Sequence, residues 1–397
     1  MSVHVHIPTQ FVSRYSLLGA FAEELARAFA AAGAIVNATS HPPGQRGLFI
    51  LLNTPERTEN IRSWIASTVG DMLNAAILHL HVDHPLALHA PHVDEFSRWP
   101  TYRLLMPCRD DAHLLGLRWP RLRHLHCMHG VPLEALCPLE PLEAEHRVAP
   151  GQGARPVAVA LAGSIHAPAE LDDMRSRLPE PVQGGADHVA TLLASSPAMS
   201  FTQAFDLGLP ANLHATNFWG LMEAVWKYAT AKANTLRRVA IVKAMQGLPA
   251  LVAGPAAWEP HCTGSIRYAG EIPYANVAGW LRQARVCVAW GPTQFAHTFS
   301  ERLLVAMAAG CAAVTDDRLL ARREFDPAGG KPMCLFADAA NPDAVRAAVE
   351  RLLASPDEAA TLARRGRKRV EAAHLWFHRI DTFAAAASDA WSPASQG

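Results

Sequence analysis

Short apolar runs alternate with longer stretches whose apolar residues recur at helical spacing, and this rhythm occurs twice along the chain. In the first half, residues 3–7, 48–52, 75–82, 102–107 and 122–128 read as strands. Residues 16–32 read as a helix, because Leu17, Leu18, Phe21, Leu25 and Phe29 share one face and Gly33 stops it. Residues 57–69 read as a second helix. Residues 138–156 are rich in Pro, Glu, Gly and Ala, have no sustained period, and read as a linker. In the second half, residues 157–162, 250–253, 286–290 and 311–315 read as strands. Residues 214–246 read as two helices broken near Asn234, and residues 276–284, 300–309, 343–353, 359–373 and 376–390 as further helices. Residues 191–196 and 199–201 are weakly defined. Strands separated by helices predict two doubly wound α/β domains.

Composition narrows the function classes. The chain has 397 residues, beyond the usual size of one core. Lys plus Arg and Asp plus Glu are both 36, so the net charge is zero. That balance excludes a broad electrostatic footprint for nucleic acid, while a local basic pocket stays compatible with it. Cys108, Cys127, Cys137, Cys262, Cys287, Cys311 and Cys334 are scattered and odd in number, which fits a reducing cytoplasm. No basic-then-apolar leader is visible, and no apolar run is long enough to span a bilayer. Peripheral membrane contact needs no such run.

In an open parallel sheet, ligands bind outside the carboxyl ends of the strands. Three such ends in the second half carry suitable residues. At the first, Gly163 lets backbone approach a ligand and Ser164 offers a donor; a routine turn is the plainer reading. The second runs from Trp290 to Gly310. There Ser300 is a good N-cap for a helix that is apolar nearly all round, and Arg302 lies in its first turn. A buried helix N-terminus with an arginine makes an anion site apt for a diphosphate. At the third, Asp316 is expected to cap the next turn.

The ordered set of motifs is more specific than any one of them. It comprises residues 268–277 (Tyr-Ala-Gly-Glu-Ile-Pro-Tyr-Ala-Asn-Val), 286–290, 300–316 (beginning Ser-Glu-Arg-Leu-Leu-Val-Ala-Met-Ala-Ala-Gly), 324–327 and 372–379. In this order the C-terminal half resembles group 1 glycosyltransferases, specifically the spore-maturation CgeB-like branch. His129 to Pro132 (His-Gly-Val-Pro) resembles the turn before the interdomain crossover of that superfamily. The resemblance implies a GT-B fold, two Rossmann-like domains facing across a cleft. Residues 1–145 would hold the acceptor and 146–375 the donor, with residues 376–397 packing back on the first domain. It implies a nucleotide-sugar co-substrate, UDP- or GDP-linked, and no cofactor. Backbone groups of Glu271 and Ile272 would read the base, with Tyr274 against it. The diphosphate would meet Thr298, Ser300, Glu301 and Arg302, with Arg238 and Lys243 as further candidates. The resemblance departs at one place. Many members carry a glutamate where this chain has Val305, and its upstream partner falls on His297. Glu301 supplying that contact, a different donor pose and a catalytically silent member all follow as readings.

The first half is rich in histidine: His79, His81, His84, His89 and His92, then His124, His126 and His129. Strand alternation puts His79 and His81 on one face. With 20 histidines in the chain such groupings arise by coincidence, and no metal is expected. Asp83 or His84 is expected to face the acceptor as general base or orienting group. The expected activity is sugar transfer to a saccharide, lipid-linked glycan or protein; the rivals are a nucleotide-sugar epimerase or hydrolase, or a binding protein on the same fold.

Overall fold

The computed structural model describes residues 3–7, 17–37, 45–53, 58–70, 72–148, 153, 155–209, 218–327 and 330–392. Its contacts divide the chain into two compact units, Met1–Pro132 with His374–Gly397, and Leu133–Ala373. The predicted helix residues Ser16, Arg57 and 214–217, and part of the predicted linker, lie outside the described residues.

Unit 1 is built from β1 (His4–His6), α1 (Leu17–Ala31), β2 (Ile35–Val36), β3 (Gly47–Leu52), α2 (Thr58–Val69), β4 (Ala75–Leu80), α3 (Ala90–Phe96), β5 (Tyr102–Met106), α4 (His113–Arg118) and β6 (His124–His126). The strands form one parallel sheet in the order β2-β1-β3-β4-β5-β6. β3 reads Gly-Leu-Phe-Ile-Leu-Leu and is buried throughout, as a strand covered on both faces must be.

Unit 2 contains α5 (Leu142–Arg147), β7 (Val157–Ala162), α6 (Pro168–Ser176), α7 (Glu180–Ser195), α8 (Phe201–Gly208), α9 (Phe218–Ala244), β8 (Ala250–Ala253), β9 (Ile266–Tyr268) and α10 (Tyr274–Leu281). It continues through β10 (Ala284–Val288), α11 (Glu301–Ala308), β11 (Ala312–Asp316), α12 (Leu319–Phe325), β12 (Leu335–Ala337), α13 (Pro342–Ala354) and α14 (Pro356–Ala373). Its parallel sheet runs β12-β11-β10-β7-β8-β9. Val159, Val252, Val286 and Val314 of its central strands share one core. Burying a side chain of that size contributes roughly 1.5–3 kcal/mol. The chain order reverses between β7 and β10, which makes their carboxyl ends the switch-point crevice of this sheet. The last helix, α15 (Ile380–Ala390), belongs to unit 1. Its Asp389 accepts from Arg103 Nε at 2.5 Å, and Phe383 packs on Phe29.

Three local expectations need correction. The segment read as a linker contains α5, whose Leu142 is fully buried and clusters with Cys137 and Ala363; unit 2 begins at Leu133. Its Pro- and Glu-rich flanks hid a helix too short to show a period. The weakly defined stretch 191–201 is the end of α7 and the start of α8, where Ser200 and Gln203 form a capping box. No break occurs at Asn234, and α9 is continuous. Asn234 Oδ1 accepts from Thr293 N at 3.0 Å, so this poor helix former is held by a tertiary bond. All seven cysteines are free thiols, and no described helix is long and apolar enough to cross a membrane.

Candidate functional site

The crevice of unit 2 is built by backbone first. Gly163, just beyond β7, donates its N–H to Ala253 O, and Gly254 donates to Gly270 O. The turn carrying Glu271 and Ile272 therefore lies beside the carboxyl ends of β7 and β8. Gly254 has φ +151°, and a Cβ there would stand 2.2 Å from Gly163 O, so no other residue fits. Tyr274 opens α10 at the end of that turn.

Arginines fill the crevice. Arg238 is 4% exposed and donates to Ser164 O, its side chain lying 3.6 Å from where a Gly163 Cβ would stand. Among the described residues its buried Nε has no hydrogen-bond partner, and neither do Nε and Nη1 of Arg237, 6% exposed. Arg318, also buried, donates to the carbonyls of Gly291 and Pro292 at 3.0 and 3.1 Å. A Cβ on Gly291 would meet that guanidinium at 2.7 Å. Against these three cations stands Asp316, 2% exposed. Its Oδ2 accepts from Arg318 Nε at 2.9 Å and Arg237 Nη2 at 3.2 Å. Asp316 thus neutralises an arginine cluster instead of capping the next turn, as expected from sequence; the N-cap of α12 is Arg318.

The electrostatics follow from this imbalance. Burial, then the charges of Arg302 and Arg237, push the Arg238 guanidinium well below its usual range. Burial likewise lowers Arg237, with Asp316 opposing it and Arg318 adding to it. A buried charge without a counter-charge is costly. Buried guanidinium donors grouped in this way suit an anion.

The loop after β10 adds polar groups to the same edge. Among the described residues, Trp290 Nε1, Thr293 Oγ1 and Ser300 Oγ are buried without hydrogen-bond partners. Ser300 stands at the N-cap of α11, but its side chain makes no capping bond. Arg302, in the first turn, reaches Glu301 only at 4.0 Å and is about one third exposed. Tyr274 is raised by burial first and then by Glu301, with Arg302 opposing, which puts the three in one neighbourhood. Thr298 is fully buried, and His297 O accepts from Leu320 N at 2.8 Å. Val305 is 3% exposed within the apolar body of α11.

The expected donor residues therefore separate into two places. Gly163, Ser164 and Arg238 come together, and Arg302 bears on Arg238. Lys243 does not join them: it is exposed on another face of α9. Sequence reasoning missed Arg237, Arg318 and the pairing role of Asp316. The signal was present as two adjacent arginines leading into the apolar run 239–242, and as the Thr-Asp-Asp-Arg run at 315–318.

In unit 1, Asp83 and His84 follow β4. Asp83 Oδ2 accepts from Asn53 Nδ2 at 3.0 Å, and Asn53 Oδ1 accepts from Val82 N at 2.7 Å. His84 is fully buried. Its Nδ1 accepts from Leu86 N at 3.2 Å, so Nε2 donates to Asp111 at 2.9 Å and neither nitrogen is left to act as a base. His79 and His81 do share a face, ring centroids 6.0 Å apart, but His79 Nδ1 meets Tyr102 OH at 2.8 Å and His81 Nε2 meets His84 O at 3.1 Å. Among the described residues, no three His, Cys, Asp or Glu side chains assemble as metal ligands would.

Comparison with known proteins agrees with this architecture. Residues 236–385 match a family model described as glycosyl transferase-like. No curated protein matches the chain. Among solved structures, it is similar to sucrose-phosphate synthase from Thermosynechococcus elongatus, at 13% identity and a TM-score of 0.51, covering 97% of this chain and 98% of that one. A DNA-modifying beta-glucosyltransferase follows at 11% identity and 0.44, covering 98% and 99%. The pneumococcal O-GlcNAc transferase GtfA follows at 10% and 0.40, covering 87% and 57%. The first of these likenesses gives the fold, two parallel six-stranded units matching a GT-B structure. The family match and that fold together support a GT-B glycosyltransferase.

Proposed function

We propose that the chain transfers a sugar from a nucleoside diphosphate sugar, UDP- or GDP-linked, whose diphosphate lies in the arginine-lined crevice of unit 2. The carrying observation is that among the described residues one buried carboxylate, Asp316, pairs with buried Arg237 and Arg318 and also bears on buried Arg238. Together these carry a net charge of about +2 when ionised, the complement of a diphosphate diester. The neighbouring Glu271–Tyr274 turn would take the base.

In the reaction the bond from the sugar's anomeric carbon to the diphosphate breaks, and the acceptor hydroxyl oxygen bonds to that carbon. Charge grows on the departing nucleoside diphosphate. Arg238, Arg302 and the N-terminus of α11 stabilise it, so the reading calls for no bound cation. The acceptor, a saccharide, lipid-linked glycan or protein side chain, belongs to unit 1. Asp83, half-buried and oriented by Asn53, is the group proposed to receive or orient its proton. The motif order supports the CgeB-like branch, and the free thiols support a cytoplasmic setting.

A second reading, a nucleotide-binding protein without turnover, is favoured by one observation: Val305 is packed in the core at the position where the resemblance places a glutamate. Both are tested by following release of free UDP or GDP from nucleotide sugars, with and without candidate acceptors. Release that quickens with one acceptor, and falls in Asp83→Asn, is the expected result. Binding without release under any condition establishes the second reading.

A further inference from the structure

The displaced Lys243 marks a different site. Five residues beyond Arg238, it lies about 140° further round α9, on an exposed face. There it lines a cleft of about 690 Å³ walled by α6 and α9, within the size range of small-molecule sites. Tyr228, Lys232, Leu236, Val239 and Lys243 follow one stripe of α9, so the cleft runs about 22 Å along the helix.

The cleft is polar at its ends and apolar between. Leu171 of α6 faces Leu236, Val239 and Ala240 across the middle, and Leu236 is 48% exposed. No residue of α6 is buried, so this wall rests on the surface of the unit. At one end Asp187 accepts from Lys232 Nζ at 2.6 Å, Arg175 Nε at 2.9 Å and Tyr228 OH, which meets its charge. At the other end Lys243 stands near His261, whose imidazole is lowered by burial and then by the Lys243 charge. Lys243 has no carboxylate partner among the described residues. One end is therefore left cationic beside an apolar trough.

We infer that this cleft binds a phosphate monoester carrying an apolar chain, the phosphate against Lys243 and His261 and the chain along Leu171, Leu236 and Val239. A phosphate offers enough acceptor oxygens for both the ammonium and the imidazole N–H. His166 lines the same cleft and lies two residues after Ser164, so the cleft and the arginine crevice share the loop leaving β7. The inference stands on this cleft alone and not on the donor reading.

The test is calorimetric titration of the full chain with octyl phosphate below its micellar concentration, against octanol, octanoate and inorganic phosphate. Octyl phosphate should bind more tightly than each of the others. Lys243→Ala should weaken it about five-fold, the worth of one half-exposed ion pair, and Leu236→Asp should abolish it. UDP titrated in parallel should bind wild type and Lys243→Ala alike. Absence of octyl phosphate binding, equal affinity for octanoate, or an unchanged affinity in Lys243→Ala would overturn the assignment. Loss of UDP binding in Lys243→Ala would return the lysine to the donor site and also overturn it.

Discussion

Arg237 and Arg318 share one oxygen of Asp316, and among the described residues no second buried carboxylate balances them or Arg238. Asp316→Asn removes that counter-charge from a fully desolvated cluster. A loss of about 3–5 kcal/mol in urea unfolding is expected, the usual cost of breaking a buried pair from one side. Pyrophosphate should restore part of it, because a bound anion stabilises the state that binds it. A loss below about 1 kcal/mol, unaffected by pyrophosphate, would show that the arginines are already satisfied.

Val305 raises the question of the missing acid. Its side chain is almost fully enclosed by the apolar residues of α11 and its neighbours, so the position does not present a carboxylate to the crevice. Val305→Glu should cost several kcal/mol, on the order of 3 or more, by burying a charge without a partner, and should not raise turnover. A stable and more active variant would place this residue against the donor.

Much of this was legible in the sequence. Apolar runs such as 157–162 mark buried parallel strands without ambiguity, and Ser300 with Arg302 marked a helix start at a strand end. What the sequence hid was spacing in three dimensions. Arg238 and Lys243 are five residues apart on one helix, yet point to different faces, because five residues make neither a full turn nor a multiple of one. Asp316 looked like a cap because it follows a strand; its true partners are Arg318, two residues on, and Arg237, seventy-nine residues back. The short strands β9 and β12 carry too few apolar residues to show a pattern, and their place in the sheet is set by neighbours.

His146 supplies a pH signature. Burial lowers its imidazole to about 4, against the opposing pull of its bond to Gly310 O at 2.9 Å. The folded state therefore keeps it neutral while the unfolded state protonates near 6.5. Its contribution is whole above pH 6.5 and is lost as pH falls towards 4, about 3 kcal/mol in all. Urea unfolding of the full chain at pH 7 and pH 4.5 should show this loss, and His146→Gln should flatten it. An identical pH slope in wild type and variant would contradict the assignment.

A diphosphate held in the arginine crevice should depend on the Arg238 charge, which Arg238→Met removes. Methionine keeps roughly the length of the side chain and removes a buried charge that, among the described residues, is paired with no carboxylate. Titration of wild type and variant with UDP and with uridine is the measurement. UDP affinity should fall at least ten-fold, about 1.4 kcal/mol or more, with uridine binding little changed. Equal losses for UDP and uridine, or no loss for either, would contradict it.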